Sequence, residues 1–426
     1  MSPFRKGVFL FRKGDGKIGR QAPGACAIRR AIELRLLGIL ITVTLAAHYS
    51  YIYFRLRNAI GPGWKWTALY LGLTLFLVFG SRALWQVDLG DYPEFRKVLS
   101  YSVYMGLAFF FILFTAFVAL DLARLVAWLA DTLFSTDLRR LLPSPKSRTL
   151  GAVGLALLVC AYGWFEALNV HPRHVTIETE RLPAGTDRIR IAHITDVHLG
   201  WITQEERLDR ILAPVRAAKP DLVVSTGDLV DDNMEFRDEE IALLRGLTPP
   251  LGTYAVTGNH EYHVGVRQAV EFKERAGMKV LRNAHHSVGG LVLVGMDDPS
   301  ARYYGEGIPP EGDILASLPD DGFVVLLKHQ PRVEPESVGL FDLQLSGHTH
   351  GGQIWPFYWL TRMVYEYRPG LRALAPSPRG GEAYADENSR DSSIYVSNGA
   401  GTWGPPLRFF APPEVTIFDI VRKPGS

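Results

Sequence analysis

Four apolar runs within the first 170 residues constrain this chain more than anything else in it. They cover residues 36–53, 66–81, 98–120 and 149–165, and none contains a formal charge. A helix needs about 20 mostly apolar residues, range roughly 17–25, to cross a bilayer. One such run would also suit a buried helix of a soluble domain, but four in succession predict a membrane bundle. The second run reaches residue 85 if Arg82 snorkels to the boundary. Tyr49, Tyr51 and Tyr53 close the first run, Trp64 and Trp66 open the second, and Trp164 ends the fourth. Tyrosine and tryptophan favour the headgroup level.

Charge placement bears on orientation. The first 30 residues hold Arg5, Lys6, Arg12, Lys13, Lys17, Arg20, Arg29 and Arg30 against one acid, Asp15. Positive segments stay in the cytoplasm, so four spans return the C-terminal half to the cytoplasmic side. Arg124, Arg139, Arg140, Lys146 and Arg148 then fall in an outer loop, and one span fewer would reverse the placement. No short apolar stretch with a small-residue cleavage site follows the basic segment directly, so the first run reads as an anchor. Four regions follow: a basic segment 1–30, a membrane region 31–170, a connecting stretch 171–187 that is a linker or first strand, and a mixed α/β domain 188–426.

The net charge of +2 gives no signal for nucleic acid, and two cysteines make neither a disulfide framework nor a cysteine zinc site. After residue 188, short β-branched runs alternate with amphipathic stretches, the pattern of layered sheets covered by helices. Residues 204–218 read as a helix with Pro214 as a kink or break, and residues 375–393 as a polar loop.

Potential metal ligands sit just behind the strand-like runs. Asp196 and His198 follow residues 189–195, Asp228 follows 222–225, Asn259 follows 253–257, His329 follows 323–327, and His348 and His350 follow 343–345. Sites in parallel sheets form beyond the carboxyl ends of the strands, so five segments would bring these side chains to one rim. Alone, each is an ordinary turn or surface sequence; together they form a metal set. Two carboxylates, four imidazoles and an amide oxygen suit Mn, Fe or Zn, whereas calcium takes oxygen alone. Two divalent ions sharing a carboxylate and a hydroxide would stay net positive, as a phosphate site requires.

This pattern, Asp-x-His, Gly-Asp, Gly-Asn-His-Glu, a separate His and Gly-His-x-His, resembles the calcineurin-like metallophosphoesterase superfamily. The wording "HITDVHLG", "VTGNHEY", "LSGHTHGGQI" and "YVSNGAGTWGPPLRFFAPPE" resembles its YkuE/YaeI-like bacterial branch. The resemblance implies a four-layer αββα sandwich and two divalent ions. It implies that Asp196, His198, Asp228 and His350 hold one, that Asp228, Asn259, His329 and His348 hold the other, and that Asp228 bridges. It also implies that His260 is a catalytic residue outside the metal shell, with Asp231 as its orienting carboxylate; a solvated acid is the plainer account of Asp231.

Protein phosphatases of this superfamily carry Arg-Gly where this chain has Asp232-Asn233, which turns the expectation away from phosphoproteins. Arg408 is a candidate for the missing cation, and a surface arginine is its plainer account. Residues 356–360, Pro-Phe-Tyr-Trp-Leu, suit either core packing or an apolar wall dipping into the membrane interface. His193 reads as a core residue. The expected activity is hydrolysis of a phosphodiester or pyrophosphate at a bacterial inner membrane, on a substrate that is lipid-linked in one version. A UDP-2,3-diacylglucosamine pyrophosphatase of lipid A synthesis is a narrower alternative, and a non-catalytic membrane scaffold a rival from another class.

Overall fold

The computed structural model describes residues 25–61, 63–87, 92–231, 237–319, 322–375 and 390–423. By contact density the chain divides into Met1–Phe54 and Arg55–Ser426. Helix α1, Ala25–Ile60, contains the first apolar run. It is followed by α2 (Trp64–Gln86), α3 (Pro93–Phe134) and α4 (Pro145–Leu168). Among the described residues, three stretches are long and apolar enough to cross a membrane: Trp64–Leu84, Pro93–Phe134 and Pro145–Leu168. Their outward faces carry exposed leucine, phenylalanine and valine, the surface expected of helices solvated by lipid. Small residues let them approach. A Cβ on Gly80 of α2 would lie 2.7 Å from Val103 of α3, and one on Gly106 of α3 would lie 2.5 Å from Leu77 of α2.

The remaining elements are β1 (His171–Thr179), β2 (Arg188–Ile194), α5 (Glu205–Ala218), β3 (Leu222–Ser225), α6 (Asp238–Arg245), β4 (Thr253–Ala255), α7 (Asn259–Val264), α8 (Val266–Arg275) and β5 (Met278–Val280). Then come β6 (Ala284–Val288), β7 (Leu291–Gly295), α9 (Glu311–Ala316), β8 (Phe323–Leu327), β9 (Leu343–Ser346), α10 (Phe357–Val364), β10 (Gly370–Ala373), β11 (Ser393–Val396) and β12 (Glu414–Arg422). One six-stranded sheet runs β1-β12-β2-β3-β4-β5 and the other β10-β11-β9-β8-β7-β6.

Side-chain alternation along the strands builds the layers. In β2, Ile189 and Ile191 join the core between the sheets, while Ala192 and Ile194 join the core under α5, α6 and α8. In β8, Phe323, Val325 and Leu327 face the inter-sheet core, while Val324 and Leu326 pack with Leu315 of α9 on the far side. This is the expected helix–sheet–sheet–helix sandwich. The stretch after the membrane region supplies a strand, since β1 pairs in parallel with β12 from His171↔Glu414 to Thr179↔Arg422. Pro214 does not break its helix: α5 continues through it to Ala218, with Leu208, Ile211, Leu212 and Val215 buried on one face. Residues 376–389 of the expected polar loop, and Asp232 and Asn233, lie outside the described residues.

Candidate metal centre

All seven predicted ligands lie beyond the carboxyl ends of β2, β3, β4, β8 and β9, strands that run parallel to neighbours in the two sheets. The loops that carry them are tightly wound. Asp196, His198, Asp228, His348 and His350 have φ of 54°, 53°, 49°, 69° and 49°. Non-glycine residues seldom adopt this left-handed region, at a cost of about 1–3 kcal/mol each, so the surroundings must hold them there. Gly347 is part of that hold: a Cβ there would overlap the Asp196 carboxylate.

The donor atoms converge in two sets. Asp196, His198 and His350 offer atoms that all lie within 4.8 Å of one another, and so do Asp228, His329 and His348. His198 Nε2 is 3.0 Å from His350 Nε2, and His348 Nδ1 is 3.0 Å from His329 Nε2. His329 Nε2 is 3.1 Å from Asn259 Oδ1. Ligands bonded to one ion at about 2.0–2.2 Å stand roughly 3 Å apart at adjacent positions, which is the spacing found. The sets meet at one atom: Asp228 Oδ2 lies 3.1 Å from His329 Nε2 and 3.8 Å from His198 Nε2.

Electrostatics agree with a cation site. Burial raises the Asp196 carboxyl. Burial also opposes ionisation of Asp228, but His329 and His260 outweigh it and hold that carboxyl well below the usual range. Burial works against a charged His329, yet Asp228 and Asp196 push it up to about 10. Burial and then the neighbouring His329 push His348 down to about 3, while burial, His198 and Arg408 push His350 well down. Among the candidate ligands, the two aspartates thus hold His329 toward its charged form, and burial holds His348 and His350 neutral, the form in which an imidazole binds metal. The residues present fit divalent metal ions.

His260 and Asp231 stand beside this set. His260 Nδ1 is 2.5 Å from Asp231 Oδ1, and the same oxygen is 3.6 Å from His198 Nδ1. Burial would lower His260, but Asp228 and Asp231 raise it to about 9. Asp231 is therefore no solvated acid; it faces two imidazoles at once.

Two contributors escaped the sequence reading. Glu261 is fully buried, and its carboxylate accepts from the backbone N–H groups of Asp228, Leu229 and Gly258 at 2.9, 2.9 and 2.5 Å. It is paired at 3.0 Å with Lys273, also fully buried. Glu261 lay within the recognised motif, but nothing in a linear sequence pairs it with Lys273. Arg408 corrects an expectation. It is neither a surface residue nor a phosphate clamp, for it is fully buried. Its guanidinium donates to the carbonyls of Gly401, Asn398, Gly399, His350 and Ala411. It also lies 3.3 Å from His350 Nδ1, and its backbone N–H donates to Gly163 of α4 at 2.9 Å. Arg408 thus braces His350, one of the candidate ligands.

His193 is a core residue as expected, with Nε2 2.7 Å from Thr226 Oγ1. The Pro-Phe-Tyr-Trp-Leu stretch opens α10, none of whose residues is buried; core packing is excluded for it. Phe357 stacks on Phe111 of α3 at 4.6 Å between ring centroids.

The two-sheet sandwich with a histidine–aspartate cluster at its strand ends has the architecture of a metallohydrolase, and sequence similarity places this chain in the metallophosphoesterase family. Residues 189–352 match the family model described as calcineurin-like phosphoesterase. An uncharacterized metallophosphoesterase of Aquifex aeolicus is 39% identical over 272 residues, covering 63% of this chain and 98% of the relative. The uncharacterized metallophosphoesterase YkuE of Bacillus subtilis is 31% identical, covering 63% and 94%. A zebrafish (Danio rerio) protein named as a transmembrane protein with a metallophosphoesterase domain is 30% identical over 378 residues, covering 84% of this chain and 80% of the relative.

Proposed function

We propose that this protein is a membrane-anchored hydrolase that cleaves a phosphodiester or pyrophosphate bond with two divalent ions. Asp196, His198, Asp228 and His350 would hold one ion, and Asp228, Asn259, His329 and His348 the other. The observation that carries the reading is Asp228 Oδ2, a single oxygen facing a histidine of each ligand set at 3.1 and 3.8 Å. Mn, Fe or Zn in such a pair supplies a water of lowered pKa and Lewis acidity for the phosphoryl oxygens.

The chain's own residues supply the rest. The backbone N–H of His260 donates to Asp228 Oδ1 at 2.9 Å, fixing the ring beside the bridge. Asp231 engages Nδ1, which leaves Nε2 as the atom to protonate a leaving oxygen. In the hydrolytic step, a water oxygen bonds to phosphorus, the P–O bond to the leaving group breaks, and that oxygen takes the proton given up by His260 Nε2. Residues 188–426 form the catalytic domain in this reading, residues 31–170 anchor it in a bacterial inner membrane, and the basic N-terminal segment favours the cytoplasmic face for the site.

Full-length protein in detergent tests this, loaded with Mn, Fe or Zn and assayed on bis(nitrophenyl) phosphate and on UDP-2,3-diacylglucosamine. Hydrolysis should stop with chelator and return with metal. His260→Ala should keep its metal and lose about 10²–10⁴-fold in turnover, the usual weight of a proton donor. Unchanged turnover in His260→Ala overturns the assignment, and a metal-loaded protein inert on both substrates favours the scaffold reading.

A further inference from the structure

The two ligand sets are held from different sides. Asp228 lies in a loop that Glu261 and Lys273 fasten, and His329 Nδ1 donates to the Thr226 carbonyl at 2.9 Å. These supports belong to the catalytic half. The other set, Asp196, His198 and His350, leans on the apolar helices α3 and α4.

The connection starts in the last turns of α4. Gly163 lies inside the apolar run 149–165, and its carbonyl accepts the backbone N–H of Arg408 at 2.9 Å. A Cβ on Gly163 would stand 2.8 Å from the Arg408 carbonyl oxygen and 3.2 Å from Leu407, which is fully buried. The glycine therefore sets how closely Leu407 and Arg408 approach the helix. Its neighbours secure the same contact. Tyr162 meets Phe409 edge to face at 6.1 Å between ring centroids, and Arg207 lies over Trp164 at 5.0 Å.

Arg408 carries the contact to two ligands. Its guanidinium lies 3.3 Å from His350 Nδ1 and donates to the His350 carbonyl at 3.1 Å. It also donates to the carbonyls of Gly399 and Gly401 at 3.2 and 2.5 Å. Both glycines touch Asp196. A Cβ on Gly399 would lie 2.7 Å from Asp196 Cβ, and the Gly401 N–H donates to the Asp196 carbonyl at 2.9 Å. The third ligand, His198, precedes a loop held by α3, where Tyr101 donates to the Ile202 carbonyl at 3.2 Å and Arg96 lies over the Trp201 ring at 4.7 Å. A binding constellation tolerates displacements of only about 0.5 Å, and seating a side chain at residue 163 would push Arg408 by about that much.

We infer that α4 is a positioning element of the metal centre as well as an anchor. Gly163, acting through Arg408, sets the affinity of the ion held by Asp196, His198 and His350, while the Glu261–Lys273 pair governs the other. The inference rests on the two-ion reading above and adds which ion the apolar helices control.

The test is titration of the full-length chain with Mn in detergent, reading affinity and ions per chain. His329→Ala cripples one set and His350→Ala the other, so each leaves one tight ion. Gly163→Val added to His329→Ala should weaken the remaining ion about 10–100-fold, the usual weight of a partner behind the ligands. Added to His350→Ala, it should leave the remaining affinity unchanged. Gly154→Val, on the same helix with nothing within 4 Å of its Cβ position, should weaken neither. Tyr101→Phe removes a single hydroxyl and guards against a Gly163 variant that fails to fold. It should show the same selectivity at about three- to tenfold, the weight of one hydrogen bond. Equal weakening in both backgrounds, or unchanged affinity in both, overturns the inference. Turnover enters neither readout, so that failure leaves the hydrolase reading standing. A wild-type chain that takes up a single ion overturns the two-ion reading itself.

Discussion

Glu261 fastens the loop that carries Asp228, and Lys273 makes that possible. A buried carboxylate accepting three backbone N–H groups is stable here because an ammonium lies 3.0 Å away. Removing one partner of a buried pair leaves an uncompensated charge, at a cost of about 3–5 kcal/mol. Lys273→Met should therefore lower the melting temperature markedly, and elemental analysis should find less bound metal. Arg408 gives a sharper contrast. Arg408→Gln leaves several buried carbonyls without donors, each worth about 1–3 kcal/mol. The variant should lose metal and stability together; a phosphate clamp would instead raise KM with metal content intact. At this scale the ligand types were legible, because aspartate and histidine behind glycine-marked strand ends carry their chemistry in their spacing. Their supports were not, because Lys273 and Arg408 act through contacts that only the folded chain brings together. The left-handed backbone at five ligands was equally invisible: the letters Asp and His do not announce a positive φ.

The elements tell a similar story. Apolar length sufficed to mark α2, α3 and α4, and short apolar, β-rich runs marked β2, β8 and β12. Apolar length did not reveal that α3 runs for 42 residues, about 63 Å and twice the thickness of a hydrocarbon core. Its polar start reaches the catalytic half, where Arg96 lies over the Trp201 ring at 4.7 Å. Nor did the sequence decide the place of α10, where aromatic content suits a core and an interface equally. The α2–α3 crossing depends on Gly80 and Gly106, since Val103 and Leu77 occupy the space a side chain would need. Gly106→Leu should force the helices apart and cost about 1–3 kcal/mol, read as a lower unfolding temperature in detergent. Gly72 of α2, with nothing within 4 Å of its Cβ position, should accept leucine without that loss.

For the molecule as a whole, the exposed apolar surface of α2, α3 and α4 predicts association with a membrane. The protein should remain in the membrane pellet after an alkaline carbonate wash and leave it with detergent; release by carbonate would contradict the spanning role of α2–α4. The order of the strands along the chain has a separate outcome for how the protein is made. β12, residues Glu414–Arg422, lies between β1 and β2 and pairs with both. Synthesis delivers β1 and β2 some 220 to 240 residues earlier, and they must wait with unpaired edges until β12 emerges. The apolar helices are complete by Leu168, long before that. A chain that stops short of residue 414 therefore leaves β1 apart from β2–β5, and the first sheet closes in a single late event of translation rather than by degrees.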